Sequence, residues 1–288
     1  MTSVRELHFG FSPCPNDTFA FWGAVRGAVP APDLQFLPVI ADIESLNRRA
    51  VLRSEPPLAI TKLSLPALAA VTHLYAVLPV GAALGFGVGP LVVRRSEDDG
   101  IAVLEHLRGK RVAIPGRLTT AFLLFAQFAP RDCTFVEVRF DQILGMVARG
   151  EVDAGLVIHE SRFTYHQHGL LALADLGQLW ECATGLPLPL GVIAMRRDLG
   201  RALFDRVATV LRDSVVLARA IPEAPRSFVR EHAQELDDSV CDRHIGLYVN
   251  EFTVDLGQQG HAAVTAMLQR GRALQLLSAG GSPWWNDA

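Results

Sequence analysis

A histidine that follows a short apolar run is the residue of this 288-residue chain best placed to do chemistry. The run Leu156-Val157-Ile158 is flanked by turn-forming residues, a pattern typical of a strand buried on both faces of a parallel sheet. His159 follows the run directly. Ligands of open α/β sheets bind beyond the carboxyl ends of the strands, and imidazole titrates near neutral pH. The pattern therefore indicates His159 as a candidate general base, although a lone histidine is more often a core or loop residue.

Two threonines at a predicted helix start form a second candidate site. Thr119 and Thr120 precede the apolar segment from Ala121 to Phe128. The free N–H groups and the positive dipole end of a helix N-terminus attract anions. The pair is therefore expected either to bind a carboxylate or only to cap the helix, for which one hydroxyl suffices.

Two further turns carry polar residues. Lys62 and Ser64 follow the third predicted strand, in the segment from Thr61 to Ser64, although a lysine is usually a solvated surface residue. Asn16 and Asp17 follow the first predicted strand. Helix capping is the simpler interpretation of these two residues, with ligand binding as the alternative.

Four charged or metal-binding side chains lie just downstream of His159. Arg162 is of the type that binds a carboxylate through two hydrogen bonds, but Glu160 is a local partner that competes for it. His166 and His168 form a His-x-His pair without a third candidate ligand, so we interpret them as a surface loop and predict no metal site.

The composition excludes several classes of function. Half of the residues are apolar, which is enough to build the cores of two ordinary domains. The net charge of -3 provides no basic surface for nucleic acid. The four cysteines lie far apart, which argues against a disulfide framework or a zinc knuckle, and residues 1–11 lack the apolar core of a secretory signal. We therefore expect a cytoplasmic protein with reduced thiols and a small-molecule partner; the oligomeric state is not predicted.

One uncharged stretch has the composition of a membrane segment but not its pattern. Residues 75–93 contain no charge, yet two prolines and four glycines break any helix there. We interpret the stretch as a strand, a glycine loop and a strand, and therefore predict no membrane insertion. The loop lacks the spacing of a dinucleotide-binding motif, so no phosphate-binding role is assigned to it.

Strand and helix patterns alternate twice along the chain, which predicts an α/β protein with two lobes. The predicted larger lobe comprises residues 1–92 and 193–288, and residues 93–192 form a smaller inserted lobe. Mixed sheets with helices on both faces and two crossing strands as a hinge would give the architecture of type II periplasmic binding proteins. A carboxylate ligand would then bind between the lobes.

Four segments together resemble the 1,4-dihydroxy-6-naphthoate synthase family of menaquinone biosynthesis through the futalosine pathway. They are Ser12-Pro13-Cys14-Pro15-Asn16-Asp17-Thr18-Phe19, Thr61-Lys62-Leu63-Ser64, Val112-Ala113-Ile114-Pro115-Gly116-Arg117 followed by Thr119-Thr120, and Ile158-His159-Glu160-Ser161-Arg162-Phe163-Thr164-Tyr165. The resemblance covers nearly the whole chain and is weakest in the C-terminal helices. It implies a cofactor-independent, metal-free cytoplasmic lyase that converts cyclic dehypoxanthine futalosine to 1,4-dihydroxy-6-naphthoate.

The resemblance also implies roles for individual residues. His159 would be the proton acceptor, and Lys62, Leu63, Ser64 and the Thr119-Thr120 pair would line the substrate site. Two alternatives share the expected fold and remain open on sequence alone. One is the chorismate dehydratase of the same pathway, and the other is a solute-binding protein for a small carboxylate, which would need no base.

Overall fold

The computed structural model describes residues 4–53, 55–233 and 237–285. The strands in these ranges are β1 (Arg5–Phe11), β2 (Leu34–Ile40), β3 (Ile60–Ser64), β4 (Tyr75–Val77), β5 (Ala83–Gly85), β6 (Leu91–Arg95), β7 (Arg111–Ile114), β8 (Thr134–Glu137), β9 (Ala154–Val157), β10 (Leu170–Asp175) and β11 (Leu188–Arg196). The α-helices are α1 (Pro15–Val25), α2 (Ile43–Leu52), α3 (Leu65–Val71), α4 (Thr120–Phe128), α5 (Ile143–Ala148), α6 (Ser161–Thr164), α7 (Leu176–Thr184), α8 (Arg201–Ala220), α9 (Arg226–His232), α10 (Asp238–Tyr248), α11 (Glu251–Val254) and α12 (Gly257–Ala273). Short 3-10 turns cover Leu104–Leu107, Phe140–Gln142, Tyr165–His168 and Arg197–Leu199.

The first sheet is mixed and has the order β2-β1-β3-β11-β4, with β5 also paired to β11. Strand β1 runs parallel to β2 and β3, as expected for strands joined by helical crossovers. The long return strand β11 runs antiparallel to β3, β4 and β5. Strand β11 therefore closes a sheet whose other strands all come from the first third of the chain.

The second sheet has the order β10-β6-β9-β7-β8 and is also mixed. Strand β7 is parallel to β8 and β9, whereas β6 is antiparallel to β9 and β10. All its strands lie between residues 91 and 175, inside the segment that separates β5 from β11. The predicted α/β architecture with two mixed sheets is thus present. The lobe boundaries and the hinge remain predictions.

Buried apolar side chains join the two sheets. One core cluster contains Leu63 and Val192 of the first sheet together with Val112 and Leu156 of the second. A separate cluster packs α1 and α8 against the first sheet and includes Phe9 and other aromatic residues. Helices α1 and α8 bury their apolar faces in this cluster, against β1 and its neighbouring strands.

The segment from Thr61 to Ser64, predicted as a turn, is a strand. It forms most of β3, which pairs residue by residue with β11 from Ile60 opposite Met195 to Ser64 opposite Gly191. Every residue of β3 is buried. The prediction was wrong for two reasons. The strand that pairs with β3 is β11, which lies far away in the sequence. A lysine inside a buried strand also needs a charged neighbour, here Asp17, and local sequence pattern does not reveal it.

The predicted N-cap of helix α1 was also wrong. The cap is Cys14, and Pro15 occupies the first helical position, where its missing N–H costs nothing. Asn16 and Asp17 therefore lie inside the first turn. The Asp17 carboxylate instead accepts hydrogen bonds from the backbone N–H of Ser12, at 3.0 Å, and from its hydroxyl, at 2.6 Å.

The described residues of the C-terminal tail pack against the first sheet and helix α12. The backbone N–H of Val77 donates to the carbonyl of Pro283 at 2.8 Å. The indole of Trp284 stacks on the ring of His261, with 3.9 Å between centroids. The tail thus extends the packing of the first sheet instead of leaving it.

Candidate functional site

One cavity brings together polar residues from both sheets and from the C-terminal helices. It contains about 650 Å³ of atom-free space, part of which is open solvent, a size typical of small-molecule sites. The predicted site residues that line it are Asn16, Lys62, Ser64, Thr119, Thr120, His159 and Arg162. Leu63 is the exception, because its side chain is fully buried in the core shared by the two sheets.

His159 lies two residues beyond the carboxyl end of β9, at the cavity wall. Its backbone φ is 58°, a left-handed conformation that is uncommon for residues other than glycine. Such outliers are concentrated at functional sites, where the surrounding structure holds them in place. Nδ1 of the ring lies 3.1 Å from Sγ of Cys14, and the ring packs edge-on against Phe140 with centroids 4.6 Å apart.

The environment of His159 keeps its imidazole neutral. Burial lowers its pKa from 6.5 to about 4, and the positive charge of Lys62 acts in the same direction. The nearby carboxylate of Asp17 opposes the shift but does not reverse it. A neutral ring at physiological pH has one nitrogen with a free lone pair, which is the form a general base requires.

A buried ion pair crosses the cavity wall between α1 and β3. Nζ of Lys62 donates to both carboxylate oxygens of Asp17, each at 2.6 Å, and both side chains are almost fully buried. Ser12 and Asn16 also donate to Asp17. The carboxylate thus balances a lysine charge that would otherwise be costly to bury.

Both threonine hydroxyls at the start of α4 already have protein partners. Thr119 is the N-cap and accepts from the backbone N–H of Phe122 at 3.2 Å. The hydroxyl of Thr120 accepts from the N–H of Leu65 and donates to the carbonyl of Leu190 at 2.6 Å. Thr120 therefore connects α4 to α3 and β11, and of the two threonines only Thr119 acts as the cap.

Arg162 also lines the cavity, but its guanidinium is engaged. It donates to Asp175 at 2.8 Å and to the backbone carbonyl of Gly89. Asp175 is in turn the N-cap of α7, where it accepts from the N–H of Gly177. Arg162 and Asp175 thus link Gly89 to the start of α7 through hydrogen bonds. A bound carboxylate would have to compete with Asp175 for the guanidinium.

Three residues of the cavity region are not among the predicted site residues. They are Cys14, predicted only to be a reduced thiol, and His244 and Tyr248, to which the sequence assigned no role. Their i, i+4 spacing in α10 places the latter two on one face, with ring centroids 4.5 Å apart. That spacing was visible in the sequence, but nothing local indicated that this face would meet α1.

One group among the described residues has the donors to hold a metal ion. Ligand atoms of Cys14, His159 and Glu160 lie within 4.8 Å of one another. Burial, followed by the charge of Glu160, raises the pKa of the Cys14 thiol well above its usual value. Because metals bind the thiolate, this environment disfavours the sulfur as a ligand.

No helix in the described ranges is both long and apolar enough to cross a membrane.

Comparison with known proteins identifies the family. Residues 7–273 match the family described as menaquinone biosynthesis. The chain belongs to this family. A Thermus thermophilus protein named 1,4-dihydroxy-6-naphtoate synthase is 49% identical over 280 residues, which cover 97% of this chain and 99% of that protein. A Streptomyces coelicolor protein of the same name is 47% identical over 285 residues, covering 97% of each. The family membership predicted from the four segments is confirmed.

Solved structures confirm the fold of this menaquinone biosynthesis family member. A crystal structure of a protein from Archaeoglobus fulgidus is similar with a TM-score of 0.86 and 35% identity, covering 94% of this chain and 98% of that one. An alkanesulfonate-binding protein from Xanthomonas axonopodis pv. citri, in complex with MOPS, has a TM-score of 0.68 at 15% identity, covering 96% of each chain. At that identity the likeness concerns the fold alone, which is of the periplasmic-binding-protein type.

Proposed function

We propose that this protein is a 1,4-dihydroxy-6-naphthoate synthase that converts cyclic dehypoxanthine futalosine without a cofactor. The observation that carries the proposal is a neutral imidazole, His159, at the wall of a cavity sized for a small molecule. The names of the Thermus thermophilus and Streptomyces coelicolor relatives agree with this reaction. A solute-binding protein would not need such a base.

In the proposed mechanism, His159 removes a proton from a carbon beside a carbonyl of the bound substrate. A base of this kind must approach the proton to about 3 Å and be unprotonated at the working pH. The pKa of His159, about 4, meets the second condition, but it lies below the working pH, near which a general base is most efficient, and makes the ring a weaker base than a free imidazole. Collapse of the resulting enolate would cleave the ring and release the sugar-derived fragment, and aromatisation of the naphthoate would drive the reaction forward.

The enolate oxygen that develops in this step needs hydrogen-bond donors or positive charge nearby. The ammonium of Lys62 lines the same cavity and is already desolvated, so it requires little reorganisation. The first N–H groups of α4, next to Thr119, are a second source of donors. We propose that Ser64 and Asn16 contact the substrate from the side of the first sheet.

Closure of the two predicted lobes would complete the site, as in binding proteins of the same fold type. The proposed closure would exclude water and hold groups from both sheets around one substrate. We also propose a cytoplasmic location, because the described cysteines are free thiols and reducing compartments maintain that state.

The direct test is turnover of cyclic dehypoxanthine futalosine by purified, chelator-treated protein. Naphthoate product, followed by chromatography and absorbance, should accumulate over many turnovers. Chorismate, the substrate of the alternative dehydratase, should not be consumed. Binding of the futalosine derivative without product would instead support a binding protein and refute the proposal.

The His159→Asn variant tests the role of the base in the same assay. His166→Asn is its matched control, since His166 lies in an exposed 3-10 turn seven residues along the chain. We expect loss of turnover only in the first variant. Equal turnover of the two variants would remove His159 from the mechanism.

A further inference from the structure

A second histidine lines the cavity and has no part in the mechanism above. His244 belongs to α10, and only 1% of its surface is exposed. Its ring packs against Tyr248 and, at 6.4 Å between centroids, against Phe163. These neighbours hold the ring in one orientation at the cavity wall, where it faces residues of α1 and the loop after β9.

The hydrogen-bond network identifies which nitrogen of His244 carries the hydrogen. The amide Nδ2 of Asn16 donates to Asp17 at 2.8 Å, because a carboxylate engaged by Lys62 can only accept. The Asn16 carbonyl oxygen therefore faces Nε2 of His244 at 3.0 Å. A carbonyl oxygen accepts only, so Nε2 must be the donor, and Nδ1 is left as an acceptor with a lone pair.

Nδ1 of His244 has no hydrogen-bond partner among the described residues, and it is sealed from bulk water. A buried acceptor without a partner costs about 1–3 kcal/mol and requires an explanation. Protonation does not resolve the problem, because burial, reinforced by the charges of His159 and Lys62, lowers the pKa of the ring well below its usual value. His244 lines the cavity, so a ligand bound there is the nearest source of a partner for this nitrogen.

We infer that Nδ1 of His244 accepts a hydrogen bond from a hydroxyl group of the bound substrate and thereby determines specificity. The inference rests on the proposed function, because it places a donor-bearing organic molecule in this cavity. A pocket with a buried, preoriented acceptor rejects analogues that lack the matching donor, since the acceptor would stay unpaired. Asn16 and Asp17 act as positioning residues for the ring.

Two substitutions separate the two nitrogens of the ring. His244→Gln retains a donor near the Nε2 position for Asn16 but removes the Nδ1 acceptor. His244→Asn retains an acceptor near the Nδ1 position and removes the bond to Asn16. Kinetics with cyclic dehypoxanthine futalosine should show KM raised about tenfold in His244→Gln, the loss of one hydrogen bond, and raised less in His244→Asn.

A substrate analogue provides the second measurement. Analogues in which a single hydroxyl of the sugar-derived part is replaced by hydrogen should bind about tenfold more weakly to the wild type for one hydroxyl position. The same replacement should have no effect on His244→Gln, as a double-mutant cycle requires when both partners of one contact are removed. Thermal denaturation of both variants reports whether the fold is retained.

The outcomes are distinguishable. If the wild type turns over its substrate but KM of His244→Gln stays within twofold, the inference is wrong and the proposed function stands. If every single-hydroxyl analogue loses as much affinity in His244→Gln as in the wild type, the inference is also wrong. If the wild type neither binds nor converts the substrate, the proposed function fails and this inference fails with it.

Discussion

Sγ of Cys14 lies 3.1 Å from Nδ1 of His159, although 145 positions separate the two residues in the chain. The pKa of the thiol is raised well above its usual value and that of the imidazole is lowered to about 4, so both groups are neutral at physiological pH. In the tautomer that the proposed base requires, Nδ1–H donates to Sγ of Cys14, which holds the ring and leaves the lone pair on Nε2. Cys14 is thus a positioning residue for the proposed base.

Replacing Cys14 should therefore reduce kcat and leave KM nearly unchanged. One neutral hydrogen bond contributes about 0.5–1.5 kcal/mol, so Cys14→Ala should lower kcat up to about tenfold. Cys14→Ser, which preserves a polar partner, should lower it less. Cys182, an exposed cysteine in α7, offers the control Cys182→Ala, for which no change is expected. A Cys14→Ala enzyme with the wild-type kcat and pH profile would contradict this role.

Asparagine is the best substitution for testing His159 because of the backbone. At φ 58° an asparagine is tolerated better than an alanine. We expect His159→Asn to lose at least about 100-fold in kcat, the usual contribution of a general base, and to keep its unfolding temperature. His159→Ala should lose activity to the same extent and also unfold at a lower temperature. Calorimetry of the two variants separates the loss of the base, which lowers only kcat, from backbone strain, which lowers the unfolding temperature.

The lowered pKa of His159 makes stability depend on pH in one direction. Between the unfolded value of 6.5 and the folded value of about 4, the unfolded chain binds more protons than the native protein. Stability that is complete above pH 6.5 is therefore lost as the pH falls toward 4, by at most about 3 kcal/mol from this group. His244, whose pKa is also lowered, contributes with the same sign.

Urea unfolding at pH 7 and pH 4.5 measures this dependence. His159→Asn should lose less stability than the wild type between the two pH values. Equal losses would show that the native His159 titrates normally. In the activity assay, kcat/KM, which reports the groups of the free enzyme, should stay level down to about pH 5, because His159 remains unprotonated there.

The ion pair of Asp17 and Lys62 should be sensitive to the loss of one partner. Asp17→Asn leaves the buried ammonium without its counter-charge and should reduce the free energy of unfolding by about 3–5 kcal/mol. The double variant Asp17→Asn, Lys62→Met should recover part of this loss. The exposed pair of Arg201 and Asp205, at 2.9 Å, is the control, and Asp205→Asn should cost less than about 1 kcal/mol. Similar losses in both single variants, measured by urea denaturation, would contradict the argument.

Two glycine substitutions should have opposite effects on stability. A Cβ on Gly89 would lie 2.3 Å from the backbone of Gly177, so Gly89→Ala should force β6 and α7 apart and cost about 2 kcal/mol or more. A Cβ on Gly246, inside α10, meets open space. Gly246→Ala should therefore raise the free energy of unfolding by about 0.5–1 kcal/mol. An unchanged unfolding temperature in Gly89→Ala would show that the contact is not tight.

Local pattern in the sequence accounts for many elements of this fold. Helix α2 begins directly after its N-cap Asp42, and α3 follows the N-cap Ser64 with a proline in its first turn. Such elements depend on caps, turn residues and apolar periodicity, all of which act within a few residues. For the same reason the position of His159 just beyond a buried strand was visible without any knowledge of the neighbours.

Residue patterns and motifs were thus enough to predict the alternation of strands and helices, the family and the residue most suited to be a base. The tertiary structure alone decided that Lys62 is buried in a strand against Asp17, that Cys14 contacts His159, and that His244 enters the cavity. Each of these contacts joins segments distant in the chain. These contacts form only when the sheets and helices pack together. They could not be predicted from the sequence, because side-chain packing between remote segments leaves no periodic pattern in either segment.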